Sequence, residues 1–144
     1  MARIVVGVDG SEESKEALRW ALEEARLRGA TVRAVNAFQT HAITPGYGPP
    51  EDFSPEAVRR DAERFLSSMI FDVASESHKV KIEEVATEGS PANVLLGAAE
   101  DADLLVVGSR GHGGFVGLLL GSVSQQCATH APCPVLIVRR KHKK

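Results

Sequence analysis

The chain predicts an α/β fold: a Rossmann-like, five-stranded parallel sheet in the order 3-2-1-4-5 with four helices on both faces. Three observations carry this prediction. Short β-branched apolar runs such as Ile4-Val5-Val6, Leu104-Leu105-Val106-Val107 and Val135-Leu136-Ile137-Val138 lack alternation, which marks strands buried on both faces. Segments between them repeat apolar residues at three- and four-residue spacing, the helical period. Strands alternating with helices require crossovers, and crossovers make neighbouring strands parallel. Periodicity alone does not fix the strand order; right-handed crossovers and a ligand at a switch point limit it, and 3-2-1-4-5 fits best, setting the ends of the first and fourth strands side by side so that Asp9 and Gly108 line one crevice.

Taken in order, Arg3 to Val8 is the first strand, with a turn at Asp9-Gly10. Ser11 caps the first helix, Glu12 and Glu13 favour its positive end, Leu18, Ala21, Leu22 and Ala25 form its apolar face, and Gly29 stops it. Thr31 to Phe38 is the second strand. Gln39 to Phe53, which holds Pro45, Gly46, Gly48, Pro49 and Pro50, is a long loop. Ser54-Pro55 opens a second helix running to about Ser77, with Val58, Ala62, Phe65, Leu66, Met69 and Val73 on one face. Val80 to Thr87 alternates imperfectly with charged residues, as expected of a strand near the sheet edge. Val94, Leu95, Ala98 and Ala99 mark a third helix and Asp103 to Val107 the fourth strand. Ser122 with Gln125 reads as a capping box for a fourth helix, and Cys133 to Val138 closes the sheet.

Composition narrows the class. With 144 residues and 43% hydrophobic content the chain suits one domain over 1–144. Five of the 17 basic residues fall in the last six positions, so the net charge of −2 hides an acidic body and a basic tail over 139–144. A tail of this kind suits contact with nucleic acid, an anionic membrane or an acidic partner, but a frayed, solvated terminus is the commoner case, and neither nucleic acid nor a membrane is the expected partner. The two cysteines, Cys127 and Cys133, match neither a disulfide framework nor a zinc knuckle, which points to a reducing, cytoplasmic setting. No stretch approaches the ~20 apolar residues of a membrane span.

The chemistry concentrates after the fourth strand, where the sequence reads Gly108-Ser109-Arg110-Gly111-His112-Gly113-Gly114 and continues to Gly121-Ser122. Glycines let successive N–H groups converge on one concavity, an anion cradle. The pattern differs from a Walker loop, having no lysine, and from the Gly-x-Gly-x-x-Gly fingerprint. Arg110 is its cation, the next helix offers its N-terminus, and Ser122 and Ser124 add hydroxyls. These parts suit a triphosphate. Each has a plainer explanation: glycines for tight turns, Ser122 as a helix cap, Asp9 as a turn former, and His112 as an exposed loop residue.

Three stretches together are specific: Ile4-Val5-Val6-Gly7-Val8-Asp9-Gly10-Ser11, the spacing Gly108-x2-Gly111-x9-Gly121-Ser122, and Ala131-Pro132-Cys133-Pro134-Val135-Leu136-Ile137-Val138. The chain resembles the universal stress proteins, in particular the subgroup that carries this glycine motif and binds ATP. The resemblance spans almost the whole sequence. It implies ATP, with Mg2+, laid across the carboxyl edge of the sheet. Val8 and Asp9 then meet the adenosine end, Ala37 packs on adenine and Gly108 sits near the ribose. Gly111, Gly121, Ser122, Val123 and Ser124 hold phosphates. Asp9 acting instead through magnesium is the alternative. The likeness also implies a homodimer formed largely through Val135–Val138, where an apolar edge strand otherwise stands unprotected. Two departures stand out: Ser124-Gln125-Gln126 replaces the frequent Ser-Glu-His, and the basic tail is longer.

The expected function is that of a regulatory ATP-binding homodimer of the stress response with little or slow hydrolysis, because phosphoryl transfer needs charge neutralisation and a positioned base that this loop lacks. A slow ATPase or nucleotidyl-transfer enzyme and a nucleotide-independent interaction module are the competing classes.

Overall fold

The computed structural model describes residues 2–40, 54–74, 79–110 and 120–140. The elements run β1 (Arg3–Gly7), α1 (Glu12–Arg28), β2 (Thr31–Phe38), α2 (Pro55–Ala74), β3 (Ile82–Glu88), α3 (Pro91–Ala98), β4 (Leu104–Gly108), α4 (Ser122–His130) and β5 (Val135–Val138). The sheet has the predicted order, β3-β2-β1-β4-β5, and every pairing is parallel.

Period-two geometry sorts the strand residues between two cores. Ile4, Val6, Val32, Ala34 and Val106 face α1 and α2, where Leu18, Leu22, Leu66 and Ile70 cover them. Val5, Val35, Leu105 and Val107 face α3 and α4 and meet Leu95, Ala99 and Cys127. The central strands β1 and β4 are apolar on both sides, which explains their unbroken hydrophobic runs.

Local signals act as their chemistry demands. The Ser11 hydroxyl accepts from the Ser14 N–H at 3.1 Å and starts α1, and Gly29 ends it in the left-handed conformation at φ 66°. Both cysteines are free, Cys127 being buried, and burial pushes both thiols up.

Several boundaries differ from the sequence expectation, β1 among them, which stops at Gly7 instead of Val8. The predicted Ser122–Gln125 capping box does not form: Gly121 is the N-cap of α4, no side chain caps that end, and Ser122 is the first helical residue. β5 starts at Val135 rather than Cys133, because Pro134 has no N–H to give and contributes only its carbonyl, which accepts from Leu105 N–H at 3.0 Å. β3 starts at Ile82, and β4 extends to Gly108. The expected loop beyond Thr40, the end of the second helix near Ser77 and the last four residues of the tail lie outside the described residues. No helix among the described residues is long and apolar enough to cross a membrane.

Candidate functional site

At the carboxyl edge of the sheet, where the chain leaves β1 in one direction and β4 in the other, a cavity of about 300 Å3 opens on the α3–α4 side. That is the low end of the range for small-ligand clefts. Of the residues singled out from sequence, Val8, Asp9, Ala37, Gly108, Arg110, Gly121, Ser122, Val123 and Ser124 all line it. Gly111 lies outside the described residues, as does His112.

The floor comes from the strands. Val35 and Ala37 of β2, with Gly7 and Val107, give it an apolar surface, and Leu95 with Pro91 of α3 closes one side. Sequence reasoning missed Val35, Pro91 and Leu95. The Pro91–Leu95 spacing of four, one helical face, was the available signal. It also missed Asn36, a buried polar residue of β2 whose Nδ2 donates to the Val8 carbonyl at 2.8 Å. The Val8 N–H donates to the Val35 carbonyl at 2.8 Å, so the turn after β1 is tied to β2 from both sides.

Asp9 opens that turn and is exposed. Its Oδ1 accepts from the Ser11 N–H at 2.8 Å and the Ser11 hydroxyl at 2.6 Å, while its own N–H reaches the Ser14 hydroxyl at 3.3 Å. Its role as a turn former is therefore real, and Oδ2 is the oxygen left for a ligand. Arg110 is the one cation and Asp9 the one carboxylate among the described lining residues. No group of three metal-ligating side chains occurs among the described residues.

The opposite wall is the start of α4. The Gly121 N–H donates to the Ser109 carbonyl at 2.7 Å, and the buried Ser124 hydroxyl donates to the same carbonyl at 2.9 Å with the Gly121 carbonyl 3.0 Å away. These bonds clip the two ends of the glycine segment together. They also redirect Ser124: its proton is spent on the backbone, leaving its N–H for a ligand. The N–H groups of Ser122, Val123 and Ser124 have no partner within the helix.

Gly108 has a second reason to be glycine. A Cβ there would stand 2.7 Å from Glu13 Cβ and 2.9 Å from the Glu13 carbonyl carbon, so its bareness admits the first turn of α1 against β4. Gly7 likewise admits Leu95, whose Cδ1 would lie 2.9 Å from a Cβ.

A parallel sheet with a cleft at its switch point and an uncapped helix N-terminus in the wall defines a doubly wound α/β protein suited to an anionic ligand. Comparison with known proteins is specific about the lineage: the sequence model of the universal stress protein family matches residues 1–139, and the chain belongs to that family. A universal stress protein of Thermus aquaticus is 37% identical over 139 residues, covering 94% of this chain and 97% of its own. One from Mycobacterium tuberculosis is 34% identical over 141 residues, 98% of this chain but 49% of its own, so the chain spans about half the length of several curated relatives it matches.

Among solved structures, a universal stress protein in complex with cAMP aligns with a TM-score of 0.73 at 30% identity, covering 95% of this chain and 96% of the other. A family member from Arabidopsis thaliana with AMP bound aligns at 0.62 and 25% identity, covering 98% and 93%.

Proposed function

We propose that the chain is a nucleotide-binding regulatory protein of the stress response, of the ATP-binding kind, with ATP held across the cleft between β1 and β4. The observation that carries this reading is the convergence of an apolar floor and the open N-terminus of α4 on one cavity. An adenine ring suits Ala37, Val35 and Leu95; the sugar falls between Asp9 and Gly108. Phosphates suit the N–H groups of Ser122, Val123 and Ser124, with Gly121 and Gly111 allowing close approach and Arg110 supplying charge. The cAMP and AMP complexes of relatives agree with an adenine ligand.

Magnesium fits this donor set in a limited way. Mg2+ keeps several waters and takes one or two carboxylates along with substrate phosphates. Asp9 Oδ2 is such a carboxylate oxygen, and the ion would offset charge on the phosphates. Hydrolysis is expected to be slow, on the order of less than one turnover per second, since one arginine and one carboxylate already engaged in a turn make poor phosphoryl-transfer machinery. The protein is proposed to pair with itself through Val135–Val138 and to signal through a nucleotide-dependent surface.

The test is calorimetry with ATP and Mg2+ on the wild type and on Gly121→Val. Gly121 sits at φ −74° and ψ 169°, a conformation valine adopts freely, so the fold should survive while the branched side chain blocks the phosphates. Micromolar binding lost in the variant is the expected result. Normal binding by Gly121→Val would show the site to be elsewhere, and AMP or cAMP binding more tightly than ATP in a thermal-shift series would replace the triphosphate.

A further inference from the structure

The two edges of the sheet are treated differently. At β3, the Lys81 carbonyl accepts from Val32 and the Gly89 N–H donates to Phe38, both at 2.9 Å, so alternation turns the backbone groups of Ile82, Glu84, Ala86 and Glu88 outward. α2 guards that row. Arg59 lies 5.3 Å over the Phe38 ring and donates to the Ala86 carbonyl at 3.5 Å, and Ser67 donates to Glu84.

At β5, the Pro134 and Val138 carbonyls accept from Leu105 and Ser109 at 3.0 and 2.8 Å, so the groups facing outward belong to Val135 and Ile137. No described side chain bonds them. That row is self-complementary about Leu136: a two-fold axis there sets Val135 opposite Ile137 of a second copy. Yet four residues of strand are little against the roughly 600 to 1,000 Å2 per partner that stable interfaces bury. More surface is needed.

It is present on α1. Trp20 is 49% exposed and Leu27 64%, on a polar helix. Glu13, Trp20 and Leu27 follow one another at seven residues, two helical turns, and so form one line. Glu13 presses on Gly108 of β4, which puts this line on the flank facing β5. At 1.5 Å per residue, Trp20 stands about 10 Å, or roughly three strand residues, below Glu13. That is the level of Leu105, whose partner in the register is Val135. Leu136 packs on the same core that α1 covers. The other exposed large apolar residues, Phe65 and Phe71, lie on α2, over β2 and β3.

The spacing completes the argument. α1 lies over β1 and β4, so with strands about 4.8 Å apart two copies joined at β5 would hold their α1 helices about 20 Å apart. Packed helices stand ~8–10 Å apart, so a trough is left above the paired strands. A tryptophan reaching in from each side fills it; half exposed in the single chain, Trp20 has about half of the roughly 150 to 250 Å2 of a fully buried aromatic left to bury in each copy. We propose that the α1 flank carrying Trp20 and Leu27 is the second half of the self-association surface, with Trp20 of each copy closing the trough over the joined β5 strands. This rests on the β5 pairing proposed above.

Trp20 is the only tryptophan in the chain, so its emission reports its surroundings directly. The experiment is sedimentation velocity and tryptophan fluorescence over one dilution series of the full chain, with Ile137→Lys and Trp20→Ala beside the wild type. Pairing should shift emission to the blue and cut acrylamide quenching several-fold as dimer forms. Ile137→Lys should stay monomeric and red-emitting throughout, and Trp20→Ala should weaken the dimer at least tenfold with an unchanged circular dichroism spectrum. A wild type that is monomeric at every concentration overturns the β5 pairing and this inference together. A dimer whose emission is unmoved, and which Trp20→Ala leaves at wild-type strength, overturns the α1 flank alone.

Discussion

Two helices begin at the same cleft, α1 and α4, and they end their N-termini in opposite ways. α1 is closed by its own chain: Ser11 accepts from Ser14, Asp9 accepts from Ser11 twice, and Glu12 and Glu13 add negative charge to the first turn. α4 has glycine at its N-cap, no side-chain cap and no acidic residue in its first turn. A helix end left with free N–H groups is less stable than one with a side-chain cap; with glycine at the N-cap the difference is a few tenths of a kcal/mol, against about 1 kcal/mol for alanine. The difference separates architecture from function: the chain satisfies the terminus that must only hold still and leaves open the one proposed to receive phosphate.

Substitutions at the two ends sharpen or break that contrast. The largest effect belongs to Gly121→Asp, which installs a cap and a negative charge where phosphate is proposed to sit. Its φ and ψ suit aspartate, so melting temperature should hold or rise slightly while ATP affinity in calorimetry falls at least a hundredfold. If affinity stays within a few-fold, the open end of α4 is not the anion site. Ser124→Ala comes next. It removes the hydroxyl bridging Ser109 and Gly121, and loss of such a buried donor costs about 1 kcal/mol of stability by chemical denaturation. Binding should weaken about five- to tenfold, through the looser start of α4. Smallest on binding is Ser11→Ala, which removes the α1 cap. Stability should drop by ~1 kcal/mol with ATP affinity changed less than threefold. A larger loss of affinity there would mean that α1, too, takes part in holding the ligand.

The legibility of the sequence follows the same division. Ser11, Gly29 and the β2 span could be read because caps, left-handed turns and β-branched runs are decided within a few residues. The open end of α4 could not be read locally: Ser122 carries the side chain of a cap, yet Gly121, bonded to Ser109 across the segment, is the N-cap, so the helix starts one residue earlier than the capping box requires. Nine cleft residues were named from sequence: strand order brings Asp9 and Gly108 together, the glycine segment and following helix gave Arg110, Gly121, Ser122 and Ser124, and Val8, Ala37 and Val123 came only through the family resemblance. Leu95 and Pro91 were not, because only the docking of α3 decides that they wall the cleft. Gly108 was legible as a glycine that matters, but the partner pressing on it, Glu13, is 95 residues away in sequence and visible only once α1 is folded back.

The clip at Ser109 has an evolutionary consequence. Because Gly121 and Ser124 both bind that one carbonyl, the ends of the stretch from Arg110 to Leu120 are fastened by residues that lie outside it. Where α4 begins is therefore set by three residues that flank the stretch, so a lineage can exchange side chains inside it without moving the helix start.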